Sequence, residues 1–188
     1  MAGYSEDAGE RVNIPALRHL EIGRLDAIVA SHPHADHVGG PVSVMEQVPV
    51  GHYVEPGRYY GSSTASRIHE LIGGRGIMRH TVVPSDTLAG FGEANVAILH
   101  PRPEYLSPEG DAPEGLNNGS VVLRIAYRGQ SILLTGDIEH ETDSAILSWN
   151  ARVQSTLLKA AHHGSRRCIP RGRSTADGRN IVRGGEQV

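Results

Sequence analysis

Leu25-Asp26-Ala27-Ile28-Val29-Ala30-Ser31-His32-Pro33-His34-Ala35-Asp36-His37 is the stretch that decides how this chain folds. Residues 25–30 are an apolar run of strand length, mostly buried by their composition. Polar residues of ligand type follow at once. In an extended segment, positions two apart point the same way, so His32 and His34 can converge on one cation. The chain then turns into a helix, and Asp36 and His37 at its start can face a second cation. Imidazole combined with carboxylate suits Zn, Mn or Fe, whereas an all-oxygen set suggests Mg or Ca. Four such residues within six positions, directly after a buried strand, outweigh the alternative of a metal-free surface histidine cluster.

Two further segments carry the same chemistry. Asp137 follows Leu134-Thr135-Gly136 at the exit of an apolar run, where open sheets collect functional groups. One carboxylate can bridge two metals through its two oxygens. Alone this would be an ordinary turn aspartate. His162-His163-Gly164-Ser165 again places histidines just past a strand. One of the pair can complete the second metal's ligands, with the other behind it or at the substrate. Ser165 offers a hydroxyl and an amide to an anionic group.

Around these points the pattern alternates strands and helices. Asn13 is expected to cap a short helix carrying Pro15, with Gly23 ending it. Helices are expected over 38–48, opened by Gly39-Gly40-Pro41, and over 62–72 and 138–150. Strands are expected over 25–30, 51–55, 77–83, 95–99 and 156–161. A hairpin joins 120–127 to 131–135 across Arg128-Gly129-Gln130. Residues 101–118, rich in Pro, Gly, Asn and acids, read as a long loop. The fold class is therefore α/β (α+β) with layered sheets.

Composition bounds the rest. The chain has 188 residues, one cysteine (Cys168) and a net charge of -3, so a disulfide framework is excluded and no general affinity for nucleic acid is implied. The first residues have neither a basic start nor an apolar run, so no signal peptide is expected there. No stretch reaches the roughly 20 apolar residues of a membrane helix, and the chain as given reads as soluble, with its compartment open. Residues 1–165 form the expected domain. Residues 166–188, rich in Arg and Gly, read as a disordered tail.

The segments Ser-His-Pro-His-Ala-Asp-His-Val-Gly-Gly, Asn117-Asn118-Gly119-Ser120-Val121-Val122-Leu123, Leu134-Thr135-Gly136-Asp137-Ile138-Glu139 and Leu158-Lys159-Ala160-Ala161-His162-His163-Gly164-Ser165 resemble the metallo-β-lactamase superfamily. Within it they look like the hydrolase domain of ComEC-type DNA-internalisation competence proteins. The resemblance implies an αββα sandwich and two divalent metal ions, Zn or Mn. It implies His32 and His34 on one ion, Asp36 and His37 on the other, Asp137 bridging, and His162 or His163 completing the second site. Many superfamily members carry a further histidine where this chain has Asn117-Asn118, and His100 is a possible substitute. The family's glycine-rich opening hairpin and its closing Gly-His-Pro segment have no counterpart here. The expectation is a sandwich incomplete at both ends.

The activity expected is two-metal hydrolysis of a phosphodiester, with single-stranded DNA as substrate during competence-related uptake. Asp36 and Asp137 are the catalytic carboxylates, Asp36 or a histidine moving the proton. Asn117, Asn118 and Ser165 are expected to hold phosphate oxygens. The alternatives are hydrolysis of another phosphoester or a lactone, or an inactive remnant.

Overall fold

Strand β1 (Leu25–Val29) forms on the apolar run and pairs in parallel with β2 (Val50–Glu55), which pairs in parallel with β3 (Met78–Thr81). Parallel neighbours need a crossover, and each here is a 13-residue helix: α2 (Ala35–Gln47) after β1 and α3 (Ser63–Arg75) after β2. The computed structural model describes residues 7–57, 61–82, 84–105 and 116–165. Most of the expected loop over 101–118 and all of the expected tail lie outside the described residues. The chain divides into two compact units, Met1–Thr81 and Val82–Val188, each with its own sheet.

In the first unit, Tyr53 from β2 and Ala30 beyond β1 are buried with Val38 and Met45 of α2 and Ile68, Leu71 and Ile72 of α3. Each such large apolar side chain contributes about 1.5–3 kcal/mol when fully buried. A second cluster of Ile14, Val44 and Val48 seats the short helix α1 (Ile14–His19). The expectation that Asn13 caps α1 is corrected. A π-helical turn over Gly9–Asn13 runs directly into α1, and Asn13 is itself helical with no side-chain cap bond. Asp7 takes the capping part instead, its Oδ1 accepting from the Gly9 N–H at 2.8 Å. This turn packs tightly on α2, since a Cβ at Gly9 would lie 2.3 Å from the Gly40 carbonyl oxygen.

Helix α2 also starts earlier than expected. The His34 carbonyl accepts from both His37 N–H at 2.9 Å and Val38 N–H at 3.0 Å, so helical bonding is under way before Gly39-Gly40-Pro41. Pro41 lies inside the helix rather than at its start. Helix α3 starts where expected and runs three residues beyond the expected end at 72: Ser62 Oγ accepts from Ala65 N–H at 3.1 Å, and Gly76 ends it at φ +66°.

The second unit is a five-stranded sheet in the order β4-β5-β6-β7-β8. Its strands are β4 (Thr87–Leu88), β5 (Asn95–His100), β6 (Val122–Tyr127), β7 (Gln130–Leu134) and β8 (Leu157–Lys159). The first four pair antiparallel, and β7 pairs with β8 in parallel. The expected hairpin is present. Arg128 and Gly129 both adopt positive φ, +47° and +79°, as a tight turn between right-twisted strands requires. The expected helix over 138–150 is not continuous. A 3-10 turn (His140–Thr142), the short helix α4 (Asp143–Leu147) and another 3-10 turn (Asn150–Val153) replace it. Hydroxyls compete for the carbonyls a longer helix would use: Thr142 Oγ1 donates to Glu139 O and Ser148 Oγ to Ala145 O. Ile138 and Ile146 are still buried, against Leu99, Val122 and Leu133, and Trp149 Nε1 donates to the Leu99 carbonyl at 2.7 Å.

Candidate metal centre

In the first unit the histidine segment occupies the turn from β1 into α2. His32 is fully buried, and its Nδ1 lies 3.1 Å from Ser31 Oγ. Its other nitrogen, Nε2, lies 3.0 Å from His34 Nδ1, with the two rings edge to face at 4.7 Å. His34 is the extended residue at the start of α2, so its ring leaves the chain before helical bonding closes the backbone. His37, in the first turn, places its Nδ1 3.1 Å from the same Ser31 hydroxyl, and its ring centroid is 4.1 Å from that of His32. Asp36 precedes it, largely exposed, with Oδ2 3.6 Å from His37 Nε2. A carboxylate in the first turn of a helix also meets the positive end of the helix dipole. The strand end and the helix start therefore gather three imidazoles and one carboxylate, and Ser31 touches two of the rings.

In the second unit Asp137 leaves β7 through Gly136, whose φ of +55° makes the bend. Asp137 is 3% exposed, and its N–H donates to Ser120 Oγ at 3.1 Å. Lys159 Nζ lies 3.9 Å from Asp137 Oδ1 and donates to the Gly136 carbonyl at 3.2 Å, which offsets the charge of a carboxylate at that depth. His163 Nε2 lies 3.6 Å from Asp137 Oδ2. His162 and His163 both adopt left-handed backbone, φ +44° and +54°, rare for residues with a side chain and frequent at functional sites. The His162 N–H donates to the Gly136 carbonyl at 3.2 Å, tying the pair to the Asp137 loop.

Glu139 is a residue that sequence reasoning passed over. It is 7% exposed, and its Oε1 accepts from Asn117 Nδ2 at 3.0 Å. His162 Nδ1 lies 3.3 Å from the same oxygen, an ion-pair distance without the alignment of a hydrogen bond. The Glu139 N–H donates to Asn118 Oδ1 at 2.8 Å. A signal for it was present: Asp137 and Glu139 are two apart, the same spacing that paired His32 with His34.

The two asparagines expected to hold substrate are thus engaged with the protein's own carboxylates, Asn118 Nδ2 also reaching Glu141 Oε2 at 3.3 Å. Asn117 Oδ1 is buried without a hydrogen-bond partner among the described residues. Flipping the amide would set its oxygen against Glu139, so the orientation follows from the partner. His100 has a structural part: it is fully buried, and its Nε2 donates to the Asn118 carbonyl at 2.7 Å. Burial holds its ring below the ordinary histidine pKa, partly countered by that bond. Ser165, expected at the phosphate, is half-buried, and its N–H donates to the His162 carbonyl at 2.9 Å.

The donor chemistry fits divalent cations. Two imidazole nitrogens 3.0 Å apart, one on a ring whose far nitrogen is already tied to a hydroxyl, stand at the separation of neighbouring ligands on one ion. The unpartnered Asn117 oxygen is an atom that an ion or an ordered water would satisfy.

Residues 2–167 match the Metallo-beta-lactamase superfamily. The chain is 29% identical over 158 residues to ComE operon protein 3 of Bacillus subtilis (strain 168), spanning 84% of this chain and 19% of that protein. It is 25% identical over 153 residues to Competence protein ComA of Neisseria gonorrhoeae, spanning 81% of this chain and 18% of that one. The chain thus spans about a fifth of the length of the curated relatives it matches. Among solved structures, Zn(2+)-bound PqqB from Methylobacterium extorquens is similar at a TM-score of 0.43 and 17% identity, over 71% of this chain and 40% of that one. With its family match covering nearly the whole described chain, and with histidine and aspartate clusters at its strand ends, this chain belongs to the metallo-β-lactamase superfamily of α/β metallo-hydrolases.

Proposed function

We propose that this chain is a two-metal phosphodiesterase acting on single-stranded DNA. The ligand set is His32, His34, Asp36, His37 and Asp137, with His162 or His163 completing it. Zn and Mn suit that mixture of imidazole and carboxylate. The observation that carries the reading is the convergence of His32 Nε2 and His34 Nδ1 at 3.0 Å, with Ser31 holding the far side of His32. When bound, the cations would polarise the ester and make an attacking water acidic enough to act near neutral pH.

The chain's own residues supply the remaining steps. Asp36, largely exposed in the first turn of α2, is placed to take up or pass on a proton. Asp137 is buried with Lys159 Nζ 3.9 Å from its Oδ1, which holds the carboxylate in place. Ser165 offers a hydroxyl to a phosphate oxygen, while Asn117 and Asn118 act through Glu139 rather than by direct donation. Similarity to two competence proteins favours DNA over other phosphoesters.

The test is cleavage of a fluorescent single-stranded oligonucleotide by the full chain loaded with Zn2+ or Mn2+. Cleavage that disappears in His34→Ala and in Asp137→Ala supports the reading. A metal-loaded, folded chain that leaves DNA intact and hydrolyses a small phosphoester or lactone replaces it.

A further inference from the structure

Glu139 is a buried ionisable group outside the proposed ligand set, and its surroundings are unusually specific. A carboxylate this deep must be compensated, and two side chains of the second unit face it. Asn117 Nδ2 donates to Oε1 at 3.0 Å, and His162 Nδ1 lies 3.3 Å from that same oxygen. The backbone on either side is pinned as well. Glu139 N–H donates to Asn118 Oδ1 at 2.8 Å, and Glu139 O accepts from Thr142 N–H and Thr142 Oγ1 at 3.0 and 2.8 Å. Asn118 is held in turn by His100, whose Nε2 donates to its carbonyl at 2.7 Å.

The other partner is bent to meet this carboxylate. His162 sits at φ +44° and ψ +50°, a conformation with a steric cost for any residue bearing a Cβ. Its ring is 30% exposed, so the left-handed turn carries an imidazole inward. His163 is placed differently, with Nε2 3.6 Å from Asp137 Oδ2 and its side chain 64% exposed. An imidazole has two nitrogens. A carboxylate oxygen 3.3 Å from Nδ1 favours the hydrogen on that nitrogen by charge even without hydrogen-bond alignment, and Nε2 then keeps the lone pair that a metal needs. Metal-ligating histidines commonly donate their other N–H to such an acid, which fixes tautomer and ring orientation together.

We propose that Glu139 is a positioning residue: its carboxylate, steadied by Asn117, fixes His162 as the Nδ1–H tautomer and leaves Nε2 as the nitrogen for a metal ion. This rests on the hydrolase reading only in taking the His-His-Gly-Ser segment as metal-binding.

Two readouts on the full chain test it. The first is the His162 tautomer in metal-free protein, from imidazole 15N chemical shifts assigned with His162→Asn. The second is Zn2+ affinity by chelator competition. Wild type and Glu139→Gln, which keeps an oxygen acceptor, are expected to show Nδ1–H at His162 and similar affinity. Glu139→Leu is expected to lose that tautomer and to bind Zn2+ about 10- to 100-fold more weakly, with its circular dichroism unchanged. A folded Leu variant with the wild-type tautomer, or with undiminished affinity, overturns the proposal. Should that variant not fold, an Nε2–H His162 in wild type overturns it alone. A wild-type chain that binds no Zn2+ sinks the hydrolase reading, while the tautomer still decides the positioning role.

Discussion

His32 Nε2 lies 3.0 Å from His34 Nδ1, although the two residues are separated by Pro33 at a turn from strand to helix. Proline keeps the residue before it extended, so the sequence between the two rings cannot close into helix too early. The two rings meet because β1 ends and α2 begins around them.

Ser31 stands behind this pair, 3.1 Å from Nδ1 of His32 and 3.1 Å from Nδ1 of His37. Ser31→Ala removes one hydroxyl that orients two candidate ligands, and Zn2+ affinity is expected to fall about 10- to 100-fold. Circular dichroism of the variant should match wild type, because a small side chain is lost from a turn. Chelator competition measures the affinity, and an unchanged value would show that the rings are held by their packing alone.

Gly9 tests how the first turn seats on α2. A methyl group there would lie 2.3 Å from the Gly40 carbonyl oxygen, a backbone atom that cannot swing aside. Gly9→Ala is expected to destabilise the chain by about 1–3 kcal/mol, measured as a drop in the urea midpoint. Gly40→Ala meets a looser contact, 3.2 Å from Gly9 N, and should cost less. Equal midpoints for wild type and Gly9→Ala would mean that the turn detaches freely.

His100 gives a pH dependence with a definite sign. Burial lowers its folded pKa below the ordinary value near 6.5. The unfolded chain therefore binds the proton first. The stability this residue contributes is complete above about pH 6.5 and declines as the pH falls below it. Urea midpoints should drop between about pH 7.5 and pH 5.5, and less steeply in His100→Gln. Identical slopes in the two proteins would show that the buried ring does not set this dependence.

Much of the site was legible in the sequence because its chemistry is local. The strand-end position of His32, His34, Asp36 and His37 follows from one apolar run and one period-two spacing, and β1 and α2 carry them as expected. The hairpin β6–β7 followed from two apolar runs joined across Arg128-Gly129-Gln130, although Gln130 itself opens β7 and pairs with Tyr127. Part of what escaped was set by side-chain bonds that reach only two or three residues and compete with the helical pattern. Asp7 displaced Asn13 as the cap through its own turn, and the broken segment after Asp137 reflects hydroxyls of Thr142 and Ser148 bonding to nearby carbonyls. Glu139 escaped for a different reason, because its partners are distant in sequence. Its meaning comes from Asn117 and His162, 22 residues before it and 23 after it. Asn117 and Asn118, read from the sequence as phosphate donors, each give one amide N–H to a carboxylate, Glu139 and Glu141 respectively.

The central claim, a hydrolytic centre built on two divalent cations, is most directly tested by counting metal. Elemental analysis of the purified chain after Zn2+ or Mn2+ loading and desalting should give about two ions per chain. His34→Ala and Asp137→Ala should each hold clearly less while remaining folded. A folded wild-type chain that retains none, or variants that retain as much as wild type, would contradict the account.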